Sequence, residues 1–420
     1  MNASHPDDHT TRPADTARPG RSRTATTILL VGFVLVSLNS RVPFGQLGPL
    51  APIAGLDATL VTVLGVLPPL GMGLGAPLAP MLLRHRPDDR LLVWASAAAL
   101  AGAAIRPVGT VGLVGGTLLA ALAIGVVNVL VPVYVRHRFD RRRRGAVFGA
   151  YALAMGLGSA LAAAVTVPVA EASGDVRLAI ATAIVPALAA ALGSQLMRST
   201  PSPGVPLTEP RSAGRTPGGR TPSTSDATPR PHIARTWLAW SLTSFFALQS
   251  LVFYALLAWT PSVLVAAGFD RATAGTGQTV LIVGIALGGL GAPLAASPRT
   301  HQTAIMWIMC GLCAIGLTGL AFAPTLALGL WLPLLGLGLG GGQALPAVLY
   351  AHRGTDGSHT AALSSFAQAG GFVIAAAGPV LLPAGERLTG SWLLPLLLLA
   401  ALCLLNVPLS HRGALATRAA

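Results

Sequence analysis

The chain has 420 residues, of which 53% are hydrophobic and only 10% charged. Soluble domains carry about 25% charged residues, so this composition excludes a protein that covers its own surface in water. The formal charge of +14 comes from arginine alone, with no lysine in the sequence. Those arginines sit at the ends of apolar segments and in polar stretches, so no separate basic domain exists to hold a duplex and nucleic acid is not expected as a partner.

In chain order, residues 1–25 are polar and carry Arg12, Arg18, Arg21 and Arg23. The apolar stretch that follows is too long for the core of a signal peptide and lacks a cleavage site, so it reads as an uncleaved first helix. A bilayer core of about 30 Å takes about 20 apolar helical residues. Twelve windows meet or approach that length: 26–49, 58–83, 91–108, 113–135, 146–169, 178–197, 237–265, 279–296, 303–323, 326–350, 361–382 and 392–409. Between the sixth and seventh lies a segment rich in Pro, Ser, Thr, Gly and Arg that cannot bury a core. The expected organisation is an all-α integral membrane protein. A six-helix bundle spans 26–198, a disordered linker 199–235 and a second bundle 236–411, with tails at 1–25 and 412–420.

Twelve spans put both termini on one side. That side collects the N-terminal arginines, the 84–90 and 136–144 loops with the run Arg141–Arg144, the linker, Arg299, Arg353, Arg412 and Arg418. The opposite loops hold Arg177, Arg271 and Arg387 among the acids Asp57, Glu171, Asp175, Asp270 and Glu386. The positive-inside rule then predicts cytoplasmic termini in the cell membrane.

The halves resemble each other. Gly75-Ala76-Pro77-Leu78-Ala79 recurs as Gly291-Ala292-Pro293-Leu294-Ala295 at an offset of 216. At an offset of 215, Asn128 meets Gln343, His137-Arg138 meets His352-Arg353, Gly156 meets Gly371 and Pro168 meets Pro383. A six-helix unit repeated in one orientation is the plan of transporters that rock two bundles about a central cavity. Glycines such as Gly75, Gly288, Gly291 and Gly340 are expected to let helix backbones approach closely.

The twelve windows contain two formal charges, Arg41 and Arg106, and no Asp, Glu or His. An intramembrane charge costs about 2.5–3.5 kcal/mol on insertion scales and marks a functional site. Arg41 lies about fifteen residues into the first window, with Pro43 removing the hydrogen bond to the Asn39 carbonyl and opening the helix there. A guanidinium without a buried carboxylate takes an anion, a carbonyl dipole or water. Arg41 therefore either lines a substrate cavity or bonds backbone carbonyls. Arg106, near the outer end of the third window, is expected to snorkel to the interface. Asn39 and Gln46 share a stripe roughly opposite Arg41 and are expected to bond neighbouring helices.

Other polar residues inside or at the edge of the windows include Asn128, Gln249, Ser250, Tyr254, Gln278, Gln343 and Gln368. Each either reaches substrate or ties helices together. Ser250 and Tyr254 share a face at i, i+4, while Asn128 and Gln343 hold equivalent places in the two halves. Cys310 and Cys313 form a C-x-x-C on one helical face and Cys403 lies in another window. With no polar or charged partners near them in the sequence, these thiols read as packing rather than as a redox or metal site.

The segment 37–52, SLNSRVPFGQLGPLAP, resembles the L-N-x-R-P stretch of the cyanate/2-nitroimidazole transporter family of the major facilitator superfamily. Residues 248–264, LQSLVFYALLAWTPSVL, resemble that family's seventh helix, including Tyr254, Trp259 and Pro261. Residues 124–139 and 365–379, the latter with Gln368, resemble its fourth and eleventh helices. Here Pro43 follows Arg41 only after Val42. The loop after the second helix keeps Gly75, Arg84 and Arg86, but has Ala79 and Pro80 near the place of its usual acid.

The resemblance implies a twelve-helix permease for a small anionic or polar neutral solute, and adds Trp259 to the candidate substrate contacts Arg41, Asn128, Gln249, Ser250, Tyr254, Gln343 and Gln368. One buried cation and no buried acid point the same way. Export of toxic or multidrug cations is the rival, disfavoured because a cation would meet Arg41 uncompensated. An enzyme would need placed acid, base, nucleophile or metal groups, and the windows offer none; no cofactor is expected. Alternating access by a monomer, without a carboxylate proton relay, is the expected mechanism.

Overall fold

The computed structural model describes residues 23–47, 50, 54–200, 233–296 and 301–415. The expected tail, most of the linker and the last residues lie outside these. The described chain forms twelve helical segments: α1 (Arg23–Asn39, continued by Val42–Gly45), α2 (Ala58–Gly75, continued by Leu78–Leu83), α3 (Asp88–Ile105), α4 (Gly109–Arg138), α5 (Arg144–Ser173) and α6 (Val176–Ala181, continued by Ile184–Ser199). The second set is α7 (Trp237–Ala266), α8 (Arg271–Ala295), α9 (Gln302–Phe322), α10 (Leu332–Arg353), α11 (Gly357–Ala375, continued by Gly378–Thr389) and α12 (Leu393–Leu415). Among the described residues, nine helices are long and apolar enough to cross a membrane.

Acids outside the apolar windows start the helices. Asp57, Asp270 and Asp356 are N-caps whose carboxylates accept from the backbone N–H groups of Leu60, Thr273 and His359, supplying acceptors that the first turn lacks. Proline sits at or beside the breaks: Pro43 in α1, Pro77 in α2 and Pro379 in α11. The repeat is legible at the caps. Gly174 and Gly390, 216 residues apart, end α5 and α11 at φ of 66° and 68°.

Helices α1–α6 pack among themselves through the α3–α4, α2–α4 and α1–α6 pairs, and α7–α12 through α8–α10, α7–α11 and α9–α12. The two sets meet along α5–α8 and α2–α11, with α4 and α5 touching α10. Because α5 and α8 in one seam correspond to α11 and α2 in the other, the contact between bundles carries the same approximate two-fold relation as the sequence.

Close crossings depend on individual glycines. A Cβ at Gly340 would run into the Ile285 carbonyl of α8, and one at Gly75 into the Leu122 carbonyl of α4. Gly291, the repeat partner of Gly75, faces open space. The sequence match there carries no matching contact, and the expectation that Gly291 brings backbones together is corrected. Gly340→Ala should lower stability by about 1–3 kcal/mol, the usual cost of overpacking, while Gly291→Ala should leave melting unchanged. Equal melting temperatures for the two variants would contradict this reading.

Candidate functional site

The crevice between the bundles is built around the break in α1. The first piece ends at Asn39, Ser40 and Arg41 form a turn, and the helix resumes at Val42. This break places the Arg41 guanidinium between the bundles. Its Nη2 donates to Gln343 Oε1 of α10 at 3.2 Å, and Gln343 Nε2 donates to Ser250 Oγ of α7 at 2.9 Å. The guanidinium carbon lies 4.4 Å from the ring centroid of Phe253 and 5.8 Å from that of Tyr254, within reach of cation–π attraction. No carboxylate pairs with it among the described residues. Arg41 Nη1 is buried with no hydrogen-bond partner, as is the Tyr254 hydroxyl.

Two cavities adjoin this guanidinium. The first is lined by Arg41, Tyr254, Gln343 and Ser159 among apolar residues such as Phe253 and Ile285. The second is lined by Asn128, Tyr151, Tyr350 and Gln368 with Phe246 and Phe372. Arg41, Met155 and Gln343 border both. Asn128 and Gln343, equivalent in sequence, thus face one cavity from opposite bundles. Asn128 Oδ1 accepts from Tyr151 at 2.7 Å, and Gln368 Nε2 donates across the seam to the Asn128 carbonyl at 3.2 Å and to Ser364 Oγ at 2.7 Å.

Three candidates lie outside the cavity walls. Ser250 is buried behind Gln343 as its acceptor. Gln249 donates to Cys310 Sγ at 3.4 Å and accepts from Cys313 Sγ at 3.8 Å, tying α7 to α9. Trp259 donates from its indole to the Pro379 carbonyl at 2.8 Å, with its ring 6.1 Å from that of Trp392. Conversely, Tyr151, Tyr350 and Phe253 line the crevice without standing out in the sequence. The available signal was tyrosine scarcity: the chain has four, and three of them face the cavities.

A family profile described as Major Facilitator Superfamily matches residues 29–379. The chain belongs to that superfamily. It is 31% identical over 384 residues to the 2-nitroimidazole transporter of Escherichia coli K12, covering 90% of this chain and 93% of that protein. It is 27% identical to the cyanate transport protein CynX of the same organism, covering 87% and 92%. Among solved structures, the human organic anion transporter MFSD10 superposes with a TM-score of 0.68 at 15% identity, covering 92% of this chain and 99% of that one. The fucose transporter FucP in its outward conformation gives 0.68 at 13%, covering 92% and 98%. At such identities these two show the fold alone.

In this superfamily member Arg106 does not snorkel, and the interface placement is corrected. The residue is fully buried. Its Nε donates to Thr117 Oγ1 at 3.2 Å, Nη1 to Gln46 Oε1 at 2.6 Å and Nη2 to the Pro43 carbonyl at 3.0 Å. The physical reason is the interruption of α1 at Gln46, a turn residue between Gly45 and Leu47, beside which α3 ends, so that the Pro43 carbonyl and the Gln46 amide oxygen meet the guanidinium. Gln46 extends the network to α6 through the Ala179 carbonyl at 3.0 Å and Thr182 Oγ1 at 2.9 Å, the interhelical role expected of it. Arg106 thereby fixes the piece of α1 just beyond Arg41. Arg106→Leu should orphan three acceptors at about 1–3 kcal/mol each and lower melting markedly, with Arg106→Lys only partly restoring it. Unaltered melting of the leucine variant would contradict this.

At the end of the crevice formed by the α4 and α10 C-termini, the bundles are strapped together. Arg136 donates to the Ala351 carbonyl at 2.8 Å and the Thr355 carbonyl at 2.5 Å, and Ser365 Oγ to the Ala76 carbonyl at 3.0 Å. Beside the strap, Asp88 sits 3.3 Å from His137 Nδ1 and 3.9 Å from Arg138 Nη2. Burial pushes the Asp88 pKa up, but the His137 hydrogen bond, the neighbouring Arg138 and His137 charges and the Asp89 backbone N–H together outweigh it and hold the carboxyl below its ordinary value. The usual loop acid is absent near Ala79 and Pro80, and Asp88 lies instead at the start of α3.

Proposed function

We propose that this chain is a secondary transporter that carries a small anionic or polar neutral solute, cyanate- or nitroimidazole-like, through the cell membrane by alternating access. The supporting observation is the Arg41 guanidinium, half-buried between the bundles with Nη1 unbonded and no paired carboxylate among the described residues. Its attraction for a negative or strongly dipolar atom is worth far more there than in water. Tyr254 Oη supplies a second contact and the Phe253 face an apolar wall suited to a flat solute. The printed names of the two bacterial relatives, a 2-nitroimidazole transporter and a cyanate transport protein, agree with this class. The arginine asymmetry of the loops favours cytoplasmic termini, which would make the strapped end of the crevice cytoplasmic.

The test is solute counterflow in proteoliposomes with labelled cyanate, 2-nitroimidazole and guanidinium. Exchange of the first two without the third is expected, and preferential movement of guanidinium would refute the assignment. The twelve apolar windows carry no carboxylate to relay protons, and uniport, exchange or a proton carried on the solute is the coupling proposed. Steep dependence on a proton gradient, lost in Glu171→Gln or Glu386→Gln, would contradict that.

A further inference from the structure

We propose that the crevice holds a second solute position, centred on Tyr350, Asn128 and Gln368, to which solute passes from the Arg41–Tyr254 position. The inference rests on the transport reading above and deepens it. The observation behind it is a buried, unpartnered hydroxyl on a tyrosine that lines each cavity. Tyr254 Oη in the first and Tyr350 Oη in the second have no hydrogen-bond partner among the described residues, and Tyr350 is 1% exposed. Buried hydroxyls in native proteins are nearly always bonded, because an unpaired one forfeits its water. Each of the two groups belongs to a residue that lines one of the cavities, so a solute seated there is the partner at hand.

The geometry links them. Tyr350 lies seven residues beyond Gln343 on α10, two turns and about 10 Å along the helix at 1.5 Å per residue, with Ala347 between them on the same face. Arg41 and Gln343 border both cavities together with Met155, and their 3.2 Å hydrogen bond lies where the two adjoin; in this proposal it is the partition. A solute that draws Arg41 away from Gln343 opens the passage. The chemistry of the second position differs from that of the first. Away from the partition its polar groups are neutral hydroxyls and amides, set against the Phe246–Phe372 pair at 4.8 Å. It suits a flat solute with one or two hydrogen-bonding atoms and holds it less tightly than Arg41 does. A weaker position between the cation and the strapped end gives the solute somewhere to go without a deep trap.

The experiment is alkylation of single introduced thiols by N-ethylmaleimide in the full chain, with 2-nitroimidazole and cyanate as probes. Ala344→Cys reports the first cavity and Ala347→Cys the second; the native Cys310, Cys313 and Cys403 are buried. Either probe is expected to slow alkylation at both positions at least fivefold. Adding Tyr350→Phe should abolish protection of the Ala347→Cys thiol and preserve it for Ala344→Cys, which also reports that the double variant is folded. Protection at Ala344→Cys alone, or protection at Ala347→Cys that Tyr350→Phe leaves untouched, would overturn the second position while sparing the transport reading. Protection at neither thiol would overturn both.

Discussion

Replacing Arg41 with alanine should raise the Kd for cyanate or 2-nitroimidazole about 10- to 100-fold, while the melting temperature of the unliganded protein holds or rises. The first part follows from losing charge-assisted hydrogen bonds worth about 1.5–3 kcal/mol, at about 1.4 kcal/mol per factor of ten. The second follows from the site. Arg41 makes one hydrogen bond at 3.2 Å and leaves Nη1 unpaired, so removing it relieves an uncompensated charge more than it breaks structure. Arg41→Lys keeps the charge but not the planar fork that meets an acceptor while lying over Phe253, and should fall between the two. Isothermal titration alongside thermal unfolding checks both halves. A matched fall in affinity and melting temperature would assign Arg41 a structural role, the alternative its residue type left open.

The second large effect is expected at Gln343. Gln343→Glu changes one atom of the Arg41 partner and almost no volume, but supplies the carboxylate that the crevice lacks. A carboxylate on the Gln343 Oε1 site would pair with Arg41 Nη2 and cancel the attraction for anions. Anion binding should fall at least about 30-fold, in line with the 2–5 kcal/mol attached to a desolvated charge pair, and guanidinium should begin to compete. Gln343→Leu removes the competing acceptor without adding charge, so anion binding should hold or tighten. Equal losses in the two variants, measured by the same titrations, would show that Gln343 acts through shape rather than through the charge balance at Arg41.

These predictions lean on features the sequence made legible unequally. The twelve windows and the repeat could be read because bilayer thickness fixes helix length and arginine placement is one-dimensional. The break in α1 was also readable, since Pro43 cannot donate to Asn39. Arg106 was misplaced because its distance to the helix end was measured along the chain. Its three acceptors come from α1 and α4, and no spacing rule brings Pro43, Gln46 and Thr117 together. Gly291 failed for a related reason: a repeated pentapeptide fixes the backbone path but not which neighbour passes by. Tyr350, the last residue of its window, and Tyr151, near the start of its own, sat where polar residues are ordinary. Only the packing of α4, α5 and α10 turns them toward one cavity.

The most direct measurement is an electron cryo-microscopy structure of the protein saturated with 2-nitroimidazole. The account predicts solute density within hydrogen-bonding distance of Arg41 Nη1 and Tyr254 Oη, flat against Phe253, with the Arg41–Gln343 bond lengthened or broken. Solute density elsewhere, with Arg41 still bonded to Gln343 as in the unliganded chain, would contradict it.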